Sequence, residues 1–499
     1  MLSMLGKTIL RTTSLLLAAA LTLAGCGPLQ GVLRPAPGAP TPSDAGEPGP
    51  AAAAEPSPAV TATPLPTASA RLELGIAQQA NGEYEAAGDT LQALVESMPG
   101  GEIEREALFR LARAYLQAGA YQAATKNLDR YIATYPHDPD AAIAYLWLGQ
   151  ALAAQGEGRM AADAYRSYLE RNPLLESYVQ QLIGDALAGA GDHAGAVAAY
   201  RAAANSEISA SNKASILERL AASQRELERY DEAVAAYDEV LGFAKAADYR
   251  AQIMFEAGAA LRDAGQEAAA AARWNGLVAT YPATPYAAQA LPLLDEWGLA
   301  QAGLLTRARV AYGAGHHAEA LSTLQRLIDA GPQSHTGDAH YYAALCYRNL
   351  GKHRDSVKEF DLLIDMHPQN ALVPEGWYEK GESLALLGAV DEAVATFQDL
   401  AARYPQHARG IQALWRIGGV YEEAGRARDA SAAYAQAAET NPGASYAADA
   451  RFRAGLVYYL NGATDAATEA WAALLPQETD PAMRARLFLW LGKAAGQQG

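Results

Sequence analysis

The feature that most limits what this chain can fold into is a short unit that returns at a fixed spacing. From Trp377 to Pro405 the sequence reads WYEKGESLALLGAVDEAVATFQDLAARYP. Trp377, Lys380, Gly381 and Leu384 share one helical face, and Ala393, Phe397 and Leu400 share another, so the spacing predicts two short amphipathic helices. Small residues at Gly381 and Ala393 let the two helices approach closely. Pro405 cannot continue a helix and forces a turn. Tyr-Pro or its equivalent recurs at Pro99, Pro136, Pro173, Pro282, Pro332, Pro368, Pro405 and Pro442, mostly 37 residues apart. The small-residue pair returns as Gly75/Ala87, Ala112/Ala124, Gly149/Ala161, Gly184/Ala196, Ala221/Ala233, Gly258/Ala270, Ala308/Ala320, Ala344/Ser356, Gly418/Ala430 and Gly455/Ala467. With Gly381/Ala393 these make eleven units. A chain of 499 residues would ordinarily suggest several globular domains. A repeated helix pair predicts instead one all-α array in which each unit contacts its neighbours.

The order and spacing of these residues resemble the tetratricopeptide repeat (TPR), a family of helix-turn-helix modules. The resemblance implies a right-handed α-solenoid of about eleven repeats over residues 71 onward. Repeats one to six are expected over 71–284, an irregular connector at 285–300, repeats seven to eleven over 301–481, and the terminal helix of an incomplete repeat at 482–499. In the connector, Pro285, Pro292, Trp297 and Gly298 suggest an extra short helix between two kinks. The fourth and fifth units lack the closing proline and are expected to turn more loosely. The terminal LFLWLGKAA stretch is apolar where solenoids usually end on a polar cap. Either that lone helix is the cap or the chain is part of something longer.

The N-terminus predicts export. Lys7 and Arg11 precede an apolar run from Leu15 to Leu23, too short to be kept as a spanning helix. Leu23-Ala24-Gly25-Cys26 resembles the lipobox of bacterial lipoproteins, which implies a signal peptide at 1–25 and a diacylglycerol on Cys26. An ordinary cleaved signal with an incidental cysteine is the plainer alternative. Residues 26–70 read as a lipid-anchored linker, and eleven of the 25 prolines fall between 27 and 70. Such a composition cannot bury a core. Extended at about 3.1 Å per residue, the linker would reach on the order of 130 Å. Localisation is therefore expected at the cell membrane or outer membrane, with the repeats on the extracytoplasmic side.

The residues that could carry chemistry are few. The net charge of −17 argues against a nucleic-acid partner, which needs clustered Lys and Arg. No phosphate-binding glycine loop, His-Glu-x-x-His or Cys-x-x-Cys occurs. His316 and His317 are adjacent on a turn and point apart, so no metal site and no cofactor are expected. Cys346, without an intramolecular partner, reads as a small buried hydrophobe. Glu382-Ser383 matches in letters the start of a lytic transglycosylase motif but lies inside a repeat helix, so no catalytic residue is expected. Tyr115, Tyr165, Tyr200, Tyr237, Tyr421 and Tyr434 are expected to pack inside helix pairs with their hydroxyls at the edge.

In the TPR family the first helices line a concave groove. The positions expected to face it are Phe109, Phe255, Tyr341, Tyr378, Trp415 and Phe452, the last four in successive repeats. They form either an aromatic track for apolar peptides or sugar rings, or packing between neighbouring repeats. The Lys-and-Asn carboxylate clamp of chaperone-binding members is absent. The resemblance implies a non-catalytic scaffold that holds envelope proteins or peptides, with peptidoglycan as a further partner. The 37-residue period with Tyr-Pro endings is also similar to repeat proteins of outer-membrane-protein assembly and cell division, which are shorter arrays. The C-terminal stretch is similar to the superhelix preceding the catalytic domain of soluble lytic murein transglycosylases, and the alternative expectation is the glycan-handling arm of such an enzyme.

Overall fold

Small residues on one helix and large rings on the next decide how the chain packs. The computed structural model describes residues 67–97, 101–331, 333 and 335–498. The signal segment, Cys26 and nearly all of the linker therefore lie outside the described residues. Among the described residues there are 24 α-helices, one short 3-10 turn and no strand. Twenty-two of the helices form eleven antiparallel pairs, from Ala68–Ala80 with Tyr84–Ser97 to Ala447–Leu460 with Thr464–Leu474. Two stand outside the pairs, Pro285–Glu296 and Pro481–Gln498. Each helix packs on those before and after it in the chain, which is the contact pattern of an α-solenoid. The first helix begins at Ala68 rather than near residue 71, because the Thr67 hydroxyl accepts the Ala70 N–H and caps it.

Each repeat is built on one steric match. A Cβ placed on Gly149 or Gly184 would lie 2.4 Å from the ring of Tyr165 or Tyr200. On Gly381 it would meet Phe397 at 2.6 Å, on Gly418 Tyr434 at 2.5 Å, on Gly455 Trp471 at 2.4 Å, and on Gly258 Trp274 at 2.3 Å. In all six the ring is 16 residues after the glycine. The small residue of the first helix is thus a seat for a ring of the second. Where the seat is Ala112 or Ala308, the residue 16 later is the smaller Leu128 or Leu324, each fully buried. The partner small residues Ala87, Ala124, Ala161, Ala393 and Ala430 are fully buried too.

Both turns of the unit follow from local chemistry. In ten repeats the turn between the helices contains a glycine with φ between 71° and 83°, from Gly82 to Gly462. The left-handed region suits glycine because it has no Cβ to clash. In repeat five the same place holds Glu228, at φ 58°. The second helices of repeats two, six, eight and nine end on Tyr135, Tyr281, His367 and Tyr404, all near φ −128°. A proline follows Tyr281, His367, Tyr404 and Tyr135 alike.

The turn after repeat five is not loose, contrary to the expectation from its missing proline. Arg250 donates to the carbonyls of Leu241 and Ala244 at 2.6 and 2.9 Å and to Tyr281 Oη at 2.8 Å. After repeat eleven, Arg484 holds Leu475 O and Glu478 O in the same way. A guanidinium supplies enough donors to satisfy helix-end carbonyls that a turn leaves open.

The connector contains one helix, Pro285–Glu296, with Pro292 inside it. Trp297 stacks on Trp274 of repeat six, and Asn275 bonds both Leu299 O and Gln301 N at 2.9 Å. Asp295 takes two bonds from Arg307 of repeat seven, at 2.6 and 2.8 Å. The segment is tied on both sides. The terminal helix Pro481–Gln498 buries Met483, Leu487 and Ala494 against repeat eleven while Phe488 and Leu489 are exposed.

Two stability measurements test this account. Gly418→Ala puts a methyl into the Tyr434 ring, which is only 2 % exposed and cannot retreat. Overpacking of this kind costs about 1–3 kcal/mol, read as a lower midpoint of urea unfolding by circular dichroism. Glu228→Gly removes the left-handed penalty of roughly 1–2 kcal/mol, partly offset by glycine's greater chain entropy. The helices of repeat five should then exchange their amide hydrogens more slowly.

Candidate functional site

The six residues expected to face a groove all lie three positions before the small residue of their helix. That register points them at the ring seated by that small residue. Phe255 lies 5.7 Å from Trp274, Tyr341 6.0 Å from Phe360, Tyr378 5.4 Å from Phe397, Trp415 4.7 Å from Tyr434, and Phe452 5.6 Å from Trp471. Phe109 packs on Tyr131 and stacks at 4.6 Å on Trp147 of the next repeat. Phe109 and Phe452 are buried, at 8 % and 1 % exposure, and have no open face. Phe255, Tyr341, Tyr378 and Trp415 are half-buried.

The outer faces of two rings are covered by cations from the following segment. The Arg409 guanidinium sits 4.6 Å from the centre of Tyr378, and that of Arg486 sits 3.8 Å from Phe452. These stacks offer electrostatic attraction as well as contact area. The expected continuous aromatic track is therefore interrupted on either side of Trp415.

Between the rings runs a ladder of ion pairs that the sequence analysis missed. Arg416 binds both oxygens of Glu382 in the preceding repeat, at 2.5 and 3.1 Å, and Glu423 on its own helix at 2.8 Å. Arg453 binds both oxygens of Glu422 at 2.8 and 3.0 Å, and Tyr434 Oη donates to the same carboxylate at 2.9 Å. Arg348 pairs with Glu379, and Arg219 pairs with Asp185 at 2.5 Å. Each partner lies 31 to 34 residues away, about one repeat. Burial disfavours charge on Arg416, but its bonds to Glu382 and Glu423 outweigh that and hold it firmly protonated. Burial first, and then the Glu422 contact, push the Tyr434 phenol well above its usual range. Glu382 is thus the acidic half of an inter-repeat bridge, and Ser383 is buried, bonded to Ser356 Oγ at 3.0 Å.

Trp415, Arg416, Gly419, Glu422, Glu423, Tyr434 and Arg453 line an open cleft of about 460 Å³. It offers an indole, two guanidiniums and two carboxylates within one surface. Such a set can hold a polypeptide segment carrying both an apolar anchor and charges of either sign. A second open cleft of about 500 Å³ is mostly apolar, lined by Val234, Met254, Leu261, Ala269, Ala272, Arg273 and Gly276.

Elsewhere the expected side chains take structural places. Tyr165, Tyr200, Tyr237 and Tyr434 are buried, and the Tyr200 hydroxyl reaches Asp185 at 2.7 Å. Tyr115 and Tyr421 are half-buried. Cys346 is fully buried, and burial pushes its thiol up to about 11. His317 packs on Tyr312, and His316 lies 3.7 Å from Glu319. The expectation of no metal site needs correction on geometry. The ligand atoms of His335, His340 and His367 all lie within 4.8 Å of one another. No sequence motif signals this, because the three are spread over 33 positions and two turns of the chain.

Removing Arg416 tests whether the ladder joins repeats. Arg416→Ala leaves the Glu382 carboxylate without its two bonds, and bonds to charged groups are worth about 1.5–3 kcal/mol. Unfolding should shift by that amount, and the shift should shrink in a Glu382→Gln background, as a double-mutant cycle would measure.

Comparison with known proteins bears on the same repeats. Residues 68–185 match the family model YfiO, described as an outer membrane lipoprotein. Residues 305–371 and 375–407 match two tetratricopeptide-repeat models. Among curated proteins, none matches this sequence. Similar solved structures include a complex described as Naa15/Naa10 bound to HypK-THB, 14 % identical with a TM-score of 0.41, over 86 % of this chain and 68 % of that one. The C-terminal part of a TPR repeat-containing protein from Cytophaga hutchinsonii is 14 % identical with a TM-score of 0.34, over 61 % of this chain and 98 % of that one. MamA is 20 % identical with a TM-score of 0.29, over 34 % of this chain and 93 % of that one. Scores at this level carry no argument about function. The eleven seated helix pairs and the matched family models identify the chain as a tetratricopeptide-repeat protein, similar over its first three repeats to an outer membrane lipoprotein family.

Proposed function

We propose that this chain is a non-catalytic scaffold of the bacterial cell envelope, exported and held to a membrane by a lipid on Cys26. The observation that carries the reading is the match of residues 68–185 to the outer membrane lipoprotein model, directly after a lipobox-like Leu23-Ala24-Gly25-Cys26. The proline-rich stretch between them serves as a tether that lets the repeats work away from the lipid surface. The repeats hold protein partners, and the Trp415 cleft is the face on which a partner segment docks. An anchor side chain fills the space beside the indole, while Arg453 and Glu423 read charges on either side of it. Half-buried rings with cations over Tyr378 and Phe452 leave little open aromatic face for stacking sugars, which favours a polypeptide over a glycan strand.

The anchor and the docking face are tested separately. Cells fed radiolabelled fatty acid should label the full-length protein and not its Cys26→Ser variant. Equal labelling of both would remove the anchor from the reading. For the docking face, a photo-reactive amino acid at Glu423 should crosslink to envelope protein in intact cells, and Arg453→Glu should reduce the yield several-fold. Crosslinks to peptidoglycan would transfer the face to glycan handling, and none at all would rule it out as a docking site.

A further inference from the structure

Repeat eight departs from the others in three places that meet in space. Its second helix, His353–Met366, ends on His367, which has the backbone of the tyrosines at Tyr281 and Tyr404 but carries an imidazole. Its first helix, Asp338–Asn349, buries His340 at 3 % exposure, one residue before Tyr341. The corresponding places one and two repeats later hold Trp377 and Leu414. His335 sits in the loop leading into that first helix. The loop can close onto the end of the second helix because residue 337 is glycine. At φ 96° a Cβ on Gly337 would lie 2.8 Å from His367 Cβ and 2.9 Å from its ring. Asn370, just beyond His367, fastens the loop from the other side by donating to Thr336 O and to Asp338 Oδ1.

We propose that His335, His340 and His367 form a binding site for a divalent transition metal such as zinc. Three imidazoles with converging nitrogens are the donor set that zinc, nickel and copper prefer over magnesium or calcium. His340 is already oriented as a ligand. Its Nδ1–H donates to Glu359 Oε2 at 2.7 Å, which leaves the Nε2 lone pair free and fixes the ring, as carboxylates do behind metal-bound histidines. The Nε2 of His367 is buried and has no hydrogen-bond partner, an open position that a metal would fill. His335 is held only by a long 3.4 Å contact from the Gly337 N–H to its Nδ1, so its ring can turn to present a nitrogen. Burial and the neighbouring imidazoles push both His335 and His367 below their usual range. They are therefore neutral at pH 7, the form that ligates.

The nitrogens would have to draw together on binding. Ligands at about 2.0–2.1 Å from a tetrahedral zinc stand roughly 3.4 Å apart, against spacings of up to 4.8 Å here. Side-chain rotation in the loop and at the helix end can supply that. A metal so held would clasp the entry of repeat eight to its exit, and three protein ligands leave a position for water or an outside donor. The alternative is that the three rings merely pack on one another, since their centres lie 4.9 to 5.8 Å apart.

Metal uptake decides between them. The full-length protein in detergent is dialysed against zinc sulfate and its zinc content measured, with thermal unfolding followed in parallel. The wild type should take up zinc saturably and unfold at a higher temperature with it. His335→Ala and His367→Tyr should each bind at least about 10-fold more weakly, and Glu359→Gln about 10-fold more weakly through its effect on His340. His367→Tyr restores the ring that other repeats carry at this place and should fold, which separates lost binding from lost structure. The His316→Ala, His317→Ala double variant should bind as the wild type does. A wild type that takes up no zinc, or His335→Ala and His367→Tyr variants that bind it as tightly, would overturn the site.

Discussion

Everything in this solenoid depends on the contact between a small residue on one helix and a ring 16 residues later on the next. The contact sets the distance between the helices of a pair, because the ring occupies the volume where a Cβ would otherwise be. It also sets rotation, since only one face of the first helix carries the seat. The ring three residues before the seat then closes over the same partner, as Tyr378 does over Phe397 and Trp415 over Tyr434. Burying each large side chain contributes about 1.5–3 kcal/mol, and the unit recurs eleven times. A helix of about 14 residues is marginal alone. Stacked in this register, each pair shares its apolar faces with the pairs on either side.

That economy of packing explains why aromatic residues at groove-like positions are poor evidence for binding. Phe109 and Phe452 are where the family resemblance expects a groove, yet they are spent on joining helices. What remains open is polar: guanidiniums laid over rings and bridges such as Arg416–Glu382 that cross from one repeat to the next. These bridges do two things at once. They add orientation between repeats, and they leave a surface patterned in charge around the Trp415 cleft, where a partner's sequence can be read.

The helix pairs, their number and the seat-and-ring match were legible because each is written within about 30 consecutive residues. The extra helix at Pro285 was legible from its prolines. The turn glycines carried a signal too, at one place in ten repeats, that the spacing of prolines overshadowed. Looseness after repeat five was a wrong inference from a missing proline, because Arg250 takes over the capping from six and nine residues away. Arginine is common on helix surfaces, so nothing in its sequence context marks this one as a latch.

The sequence by itself determined a helical repeat array of defined register, since helix formation, turn chemistry and small-to-large complementarity are local properties of the chain. Only the tertiary structure decided which ring faces are covered, which carboxylate each arginine finds, and that three histidines meet in repeat eight. Those outcomes depend on side chains from different helices arriving at one point. Their direction follows from the rotation between helices, which no single stretch of sequence specifies.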